Sequence, residues 1–197
     1  MNYKKDWHMT HSNQQRFVYF VTPKCATRSI LAVLESQTKI TLKEGYRPFN
    51  KKWDNYFKFA IVRNPWDRLL SCFLDKTKKC VGSKWELPDY SKYKQSSFKT
   101  FVRKISSTNL KTCNNHHRLQ AVLVPYSECD FIGRFENLQE DFNIICDKIG
   151  LPKQKLAHQN KTNHKHYTQY YDDETRELVA KMYALDIKVF GYEFGER

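Results

Sequence analysis

Glycine and proline are scarce, six of each in 197 residues, and no glycine occurs before position 45. That scarcity excludes collagen-like repeats and linker-dominated chains. It also excludes the nucleoside-triphosphatase loop G-x-x-x-x-G-K-[ST], whose glycines let a backbone wrap phosphate. No apolar run approaches the roughly 18 residues of a membrane-spanning helix, and the opening MNYKKDWHMTHSNQQ lacks the apolar stretch of a signal peptide. These absences predict a soluble protein of the cytoplasm. None of the six cysteines pairs as C-x-x-C, so a zinc ribbon or a thioredoxin-like centre is not expected. Cys72 and Cys146 read as plain buried thiols on apolar helix faces.

What is abundant is positive charge and aromatic surface. Lys and Arg number 34 against 21 Asp and Glu, a formal charge of +13. A surplus of that size favours a polyanionic partner, whether nucleic acid, an acidic membrane surface, an acidic glycan or a phosphate-bearing cofactor. Hydrophobic residues make up 40% and aromatics 15%, too rich for a disordered chain. The length suits one domain, 1–197, with residues 1–15 as a flexible leading segment.

Two strand–loop–helix units open the chain. FVYFVT at 17–22 and FKFAIV at 57–62 are short buried runs of the kind found in parallel sheets. After the first, Ile30, Leu31, Val33 and Leu34 show helical spacing. After the second, Asn64 and Pro65 form a helix start that carries Leu69, Leu70 and Phe73 inward. Further helices are expected at 96–105, at about 115–124, at 137–149 before Gly150, and at about 173–186. DFIGRF at 130–135 is a third strand candidate. The order predicts an α/β fold: a mostly parallel central sheet of about four or five strands, flanked by helices. Residues 76–104 are basic, with nine Lys or Arg against Glu86 and Asp89. No acidic residue lies between Gly150 and Asp172.

The chemistry gathers after the first strand. A strand turning tightly into a helix aims backbone N–H groups and the helix dipole at one spot. Lys24 adds a full charge there, and Thr27 and Ser29 add hydroxyls. Beyond the second strand, Arg63 offers a planar fork suited to a phosphate monoester, with Ser71 two turns along the helix. Blander roles compete. Lys24 also suits a solvated surface, Arg63 an ion pair with Asp67 or Glu136, and Ser71 close helix packing. His116 and His117 suit surface hydrogen bonds, and Glu136 a helix cap.

PKCATRS resembles the 5′-phosphosulfate loop of sulfotransferases that use 3′-phosphoadenosine 5′-phosphosulfate (PAPS). FAIVRNPWDRLLSCF resembles their 3′-phosphate motif, V-R-[DN]-P-x-x-R-L-x-S-x-[FY]. NNHHRLQ, DFIGRFENLQEDF and DIKVFGYEF resemble the later blocks of carbohydrate sulfotransferases of the chondroitin/dermatan type and their bacterial relatives. The resemblance spans roughly 16–194 and implies a P-loop-like sulfotransferase architecture.

It implies that the amides of Cys25, Ala26, Thr27, Arg28 and Ser29, with the Thr27 and Ser29 hydroxyls, hold the 5′-phosphosulfate. Lys24 then neutralises charge on the bridging oxygen. Arg63 and Ser71 bind the 3′-phosphate, and a loop with Lys161 and Thr162 closes over the cofactor. Arg28 either adds a phosphate contact or faces solvent. The product is PAP (3′-phosphoadenosine 5′-phosphate), no metal is expected, and the acceptor is a carbohydrate, with the basic 76–104 stretch suited to an acidic one. The general base is open between Glu44, which falls in the interval where related enzymes carry a His or Glu, and His116, which aligns with a histidine of the chondroitin-type enzymes. A basic nucleic-acid-binding module and a P-loop-like nucleotide kinase are the alternative classes.

Overall fold

The computed structural model describes residues 6–38, 45–79, 87–157 and 165–196. Its elements run β1 (Asp6–Ser12), β2 (Phe17–Phe20), α1 (Thr27–Thr38), β3 (Gly45–Pro48), β4 (Phe57–Val62), α2 (Pro65–Leu74), α3 (Pro88–Ser91), α4 (Phe98–Ser106), α5 (Gln120–Leu123), β5 (Phe131–Arg134), α6 (Leu138–Ile149), α7 (Asp173–Met182) and α8 (Ala184–Phe190). The chain, expected as one domain over 1–197, groups into two compact units, Met1–Val62 with Gln120–Asn160 and Arg63–Leu119 with Lys161–Arg197.

The first unit holds a five-stranded sheet in the order β3-β1-β2-β4-β5. β2 pairs parallel with β4, Phe17 opposite Phe57, and β4 pairs parallel with β5, Phe59 opposite Phe131. Alternation sends Phe17, Tyr19, Val21, Phe59 and Ile61 to one face. There they meet Ile30, Leu31 and Leu34 of α1 and Phe142, Ile145 and Ile149 of α6. Val18, Phe20 and Ala60 point the other way, against Met9, Trp53, Leu123 and Val124. Burying each such large apolar side chain contributes about 1.5–3 kcal/mol. α6 stops as expected at Gly150, whose φ of +69° is a left-handed cap.

The α/β fold stands, but the sheet is mixed. β1 and β3 form an antiparallel ribbon on its edge, Met9 opposite Phe20 and Gly45. Contrary to the expected flexible segment over 1–15, Asp6–Ser12 is therefore a strand. Met9 is fully buried, and the rings of Trp7 and His11 pack on Phe20 and Trp53. The helix expected over 115–124 is confined to α5.

The second unit is helical. Asn64 caps α2, its Oδ1 accepting the Trp66 amide at 3.1 Å, and Pro65 takes the first turn where no N–H is needed. α2 runs on into a π-helical turn, Asp75–Lys79. Ser97 caps α4 and Asp172 caps α7. The expected helix over 173–186 breaks at Tyr183 into α7 and α8. Phe194 packs on Trp66, Tyr167 and Tyr171, so the tail is pinned as its aromatics suggest.

Candidate functional site

Because β2, β4 and β5 are parallel neighbours, the chain leaves all three at one edge of the sheet, where open α/β sheets bind ligands. After β2 it turns through Thr22–Thr27. Lys24 has φ of +75° and Ala26 φ of +58°, the left-handed shape that L residues with a Cβ adopt at a cost of about 1–2 kcal/mol each. Left-handed residues alternating with ordinary ones turn successive amides toward one concave side, a nest for an anion. The loop thus achieves without glycine what phosphate loops usually achieve with it.

The base of the turn is tied by Thr22. Its carbonyl accepts the Cys25 N–H at 3.3 Å and the Thr27 hydroxyl at 3.1 Å. Its own hydroxyl is buried and has no hydrogen-bond partner among the described residues. Helical bonding begins with the Ile30 N–H on the Ala26 carbonyl at 3.1 Å. The first turn of α1 carries no acidic residue, so the positive end of its dipole is not neutralised there. Ser29 is buried, Thr27 and Lys24 are half-buried, and the Arg28 side chain is exposed. The Cys25 thiol lies 3.5 Å from Gln120 Oε1 and is fully buried, so Cys25 contributes backbone only. An anionic group fits this cradle: oriented amides, a helix N-terminus and one lysine.

Arg63 follows the last residue of β4. Its Nε and Nη2 lie 2.9 and 2.8 Å from Asp67 Oδ2. The ion pair anticipated as its structural role is therefore present, and it orients the guanidinium. Asp67 and Ser71, four residues apart, share one side of α2, and the ion pair ties the Arg63 guanidinium to Asp67. Arg63 and Ser71 are each only 7% exposed.

His116 and His117 sit in an irregular loop whose carbonyls are taken by side chains. Arg68 donates to the carbonyls of Asn115 and Arg118, both at 2.8 Å. Arg118 donates to those of Cys113 and Thr112 at 2.8 and 3.0 Å, and the Tyr183 hydroxyl to that of His117 at 2.7 Å. These side-chain bonds hold residues 112–118 in an irregular path, and α5 starts at Gln120. His117 is buried, its Nδ1 2.6 Å from the Tyr90 hydroxyl. Burial, helped by the Arg68 charge, pushes its pKa down to about 4, so it is neutral near pH 7. Burial first, then Cys72, pushes the Tyr90 phenol well up. His116 is half-buried, its Nδ1 2.8 Å from Asn114 Oδ1.

Sequence reasoning missed Arg68, which holds this loop through two carbonyls. Arg68, 1% exposed between Trp66 and Leu69, carried one signal: a cation on a stretch of helix otherwise read as core. Glu44, Lys161 and Thr162 lie outside the described residues. No group of three or more His, Cys, Asp or Glu among the described residues is placed to hold a metal ion. None of their helices is long and apolar enough to cross a membrane. A cavity of about 400 Å³ lined by Asp54, Tyr56, Lys58, Asp130 and Lys148 opens at the amino end of β4, the opposite edge of the sheet.

Residues 7–193 match the family described as the sulfotransferase family. The chain is 26% identical to carbohydrate sulfotransferase 14 of Danio rerio, over 94% of this chain and 62% of that protein. It is 26% identical to carbohydrate sulfotransferase 9 of Homo sapiens, over 71% of this chain and 38% of that protein. An uncharacterized protein of Archaeoglobus fulgidus is 31% identical over 53% of this chain and 76% of its own. The chain thus spans under two thirds of the length of the two carbohydrate sulfotransferases. No solved structure matches.

Proposed function

Because this chain belongs to the sulfotransferase family, we propose that it moves a sulfuryl group from PAPS to a hydroxyl or amine of a carbohydrate acceptor. The observation that carries this reading is the Lys24–Ser29 cradle, where two non-glycine residues hold left-handed backbone to build an anion nest at a helix N-terminus. The relatives' names support the acceptor class. Neither a nucleic-acid-binding module nor a nucleotide kinase gains support from the comparisons.

The donor supplies an activated sulfuryl group; the protein's task is to hold it and to meet its charge. The amides of Ala26–Ser29 and the helix dipole receive the 5′-phosphosulfate. Lys24 places a full positive charge beside the same turn, where negative charge gathers as the sulfuryl group is transferred. Arg63, aligned by Asp67, and Ser71 receive the 3′-phosphate. Lys161 and Thr162, outside the described residues, are assigned to the nucleotide by the family resemblance alone. The acceptor's proton needs a base, and Glu44 and His116 are its candidates.

Titration calorimetry with PAP and a turnover assay with PAPS test the reading together. The unaltered protein should bind PAP. Lys24→Ala should lower turnover by about 10²–10³-fold with the melting temperature preserved. Arg63→Ala should weaken PAP binding at least tenfold. No PAP binding by the unaltered protein, or two variants indistinguishable from it, overturns the assignment.

A further inference from the structure

We propose that Lys76 is a second cation for the nucleotide's 3′-phosphate, held one helical turn beyond Ser71. The inference rests on the sulfotransferase reading and deepens it, by adding a specificity-determining residue to the end of the site that Arg63 and Ser71 supply.

The starting observation is a buried charge that the protein itself barely meets. Lys58, Arg63, Arg68 and Lys76 are all buried, and a cation taken out of water is costly unless acceptors surround it. Lys58 Nζ donates to the carbonyls of Asp54 and Tyr56, both at 3.0 Å. Arg63 holds Asp67, and Arg68 holds two loop carbonyls at 2.8 Å. Lys76 differs. It is only 6% exposed, and among the described residues its one polar partner is Asp75 Oδ2 at 3.3 Å. That is longer than the roughly 2.7–2.9 Å of a charge-assisted hydrogen bond. An ammonium has three N–H donors, and here a single long ion pair engages them. A desolvated cation with donors to spare is where an anion gains most.

Its place in the fold says which anion. Asp67, Ser71 and Asp75 follow at four-residue spacing, and Asp75, at the end of α2, keeps helical dihedrals. The three therefore share one side of the helix. Each carboxylate stands about 6 Å along the axis from Ser71, one before it and one after. Arg63 is tied to the first and Lys76 to the second, so Ser71 is bracketed by two tethered cations. Long side chains on a helix lean back over the preceding turn, which carries the Lys76 ammonium toward Ser71. Among the described residues nothing bonds the Ser71 hydroxyl. Asp75 can take one N–H of Lys76, and the others remain for phosphate oxygens. All five residues lie in the second unit.

The local backbone is unusual at the same point. Lys76 lies in the π-helical turn Asp75–Lys79, a rare form that is frequent at functional sites. The Thr77 hydroxyl, itself buried, donates to the Phe73 carbonyl at 2.6 Å and ties the widened turn to α2.

Titration calorimetry with PAP and with AMP tests the assignment, because only PAP carries a 3′-phosphate. Lys76→Met keeps a long apolar stem and removes the ammonium. Its PAP affinity should fall about tenfold or more while its AMP affinity stays that of the unaltered protein, which also shows that the fold is intact. PAP affinity that does not change, or an equal loss for PAP and AMP, overturns the proposal. NMR of the lysine ammonium groups needs no altered protein for its readout: the Lys76 signal should shift on adding PAP and stay put on adding AMP, and a signal indifferent to PAP overturns the assignment even where Lys76→Met fails to fold. No PAP binding by the unaltered protein sinks the sulfotransferase reading and this assignment with it. PAP bound, with Arg63→Ala impaired and Lys76→Met unimpaired, sinks the Lys76 assignment alone.

Discussion

Lys24 and Ala26 hold a backbone shape that costs each about 1–2 kcal/mol, and such strain persists where surrounding structure over-determines it. Here the ties are the Cys25 N–H and the Thr27 hydroxyl on the Thr22 carbonyl. Ala26→Gly removes the strain but gives the unfolded chain more freedom, worth about 0.4–1 kcal/mol. The net expectation is a gain of about 0.5–1 kcal/mol, or roughly 2 °C in melting temperature for a chain of this size. PAP affinity should fall at the same time, because a looser loop must be ordered on binding. A loss of more than about 1 kcal/mol in calorimetry would show instead that the Ala26 methyl packs favourably. Nothing in PKCATRS announces left-handed backbone at a lysine and an alanine; residue type signals it only at glycine, and here other bonds impose it. The ion pair of Arg63 was legible because the i, i+4 spacing to Asp67 is local.

Between elements, the contact of α4 with α7 is electrostatic at its exposed rim. Lys99 bonds Asp172 at 2.6 Å and Glu174 at 2.8 Å, and Arg103 grips Glu174 with two bonds of 2.5 and 2.8 Å. Hydrogen bonds from Arg103 first, then Lys99, pull the Glu174 carboxyl down to about 2; those from Lys99 and Thr175 hold Asp172 well below the usual range. Folded values below unfolded ones mean that this contribution is present above about pH 4.5 and is lost as pH falls toward 2. Glu174→Gln should therefore lower the melting temperature at pH 7, less so in high salt, with the gap to the unaltered protein closing by pH 2. A gap that does not change with pH would rule out the ion pairs as its source. Elements whose stability is local were the ones legible beforehand: β2, β4, β5, α1, α2 and α6 follow from buried runs, Asn64–Pro65 and Gly150. β1 and β3 were not, because DWHMTHS and GYRP become strands only by pairing with each other and with β2. Residues 115–119 likewise take their irregular path among partners remote in sequence, Arg68 and Tyr183, which bond the carbonyls of Asn115, His117 and Arg118.

For the molecule as a whole, a formal charge of +13 attracts any polyanion, and only the manner of attraction separates a nucleotide site from a nucleic-acid surface. Diffuse binding releases many counterions and fades steeply with salt. The proposed nucleotide site, with the Lys24 turn for one end and Arg63 for the other, calls on few charges and on geometry. A ligand that binds only the native state at 100 times its dissociation constant stabilises by about 2.7 kcal/mol, which for this length raises the melting temperature by roughly 5–10 °C. PAP should produce that shift, and ATP and NAD, which lack a 3′-phosphate, should produce much less. The PAP shift should survive 0.3 M salt in large part. Arg63→Ala should bring PAP down to the level of AMP, since only the 3′-phosphate distinguishes the two. Equal shifts from PAP, ATP and AMP in the unaltered protein, or a PAP effect that vanishes with modest salt, would mean that charge alone attracts the nucleotide and that the Lys24 turn and Arg63 do not act as a matched pair.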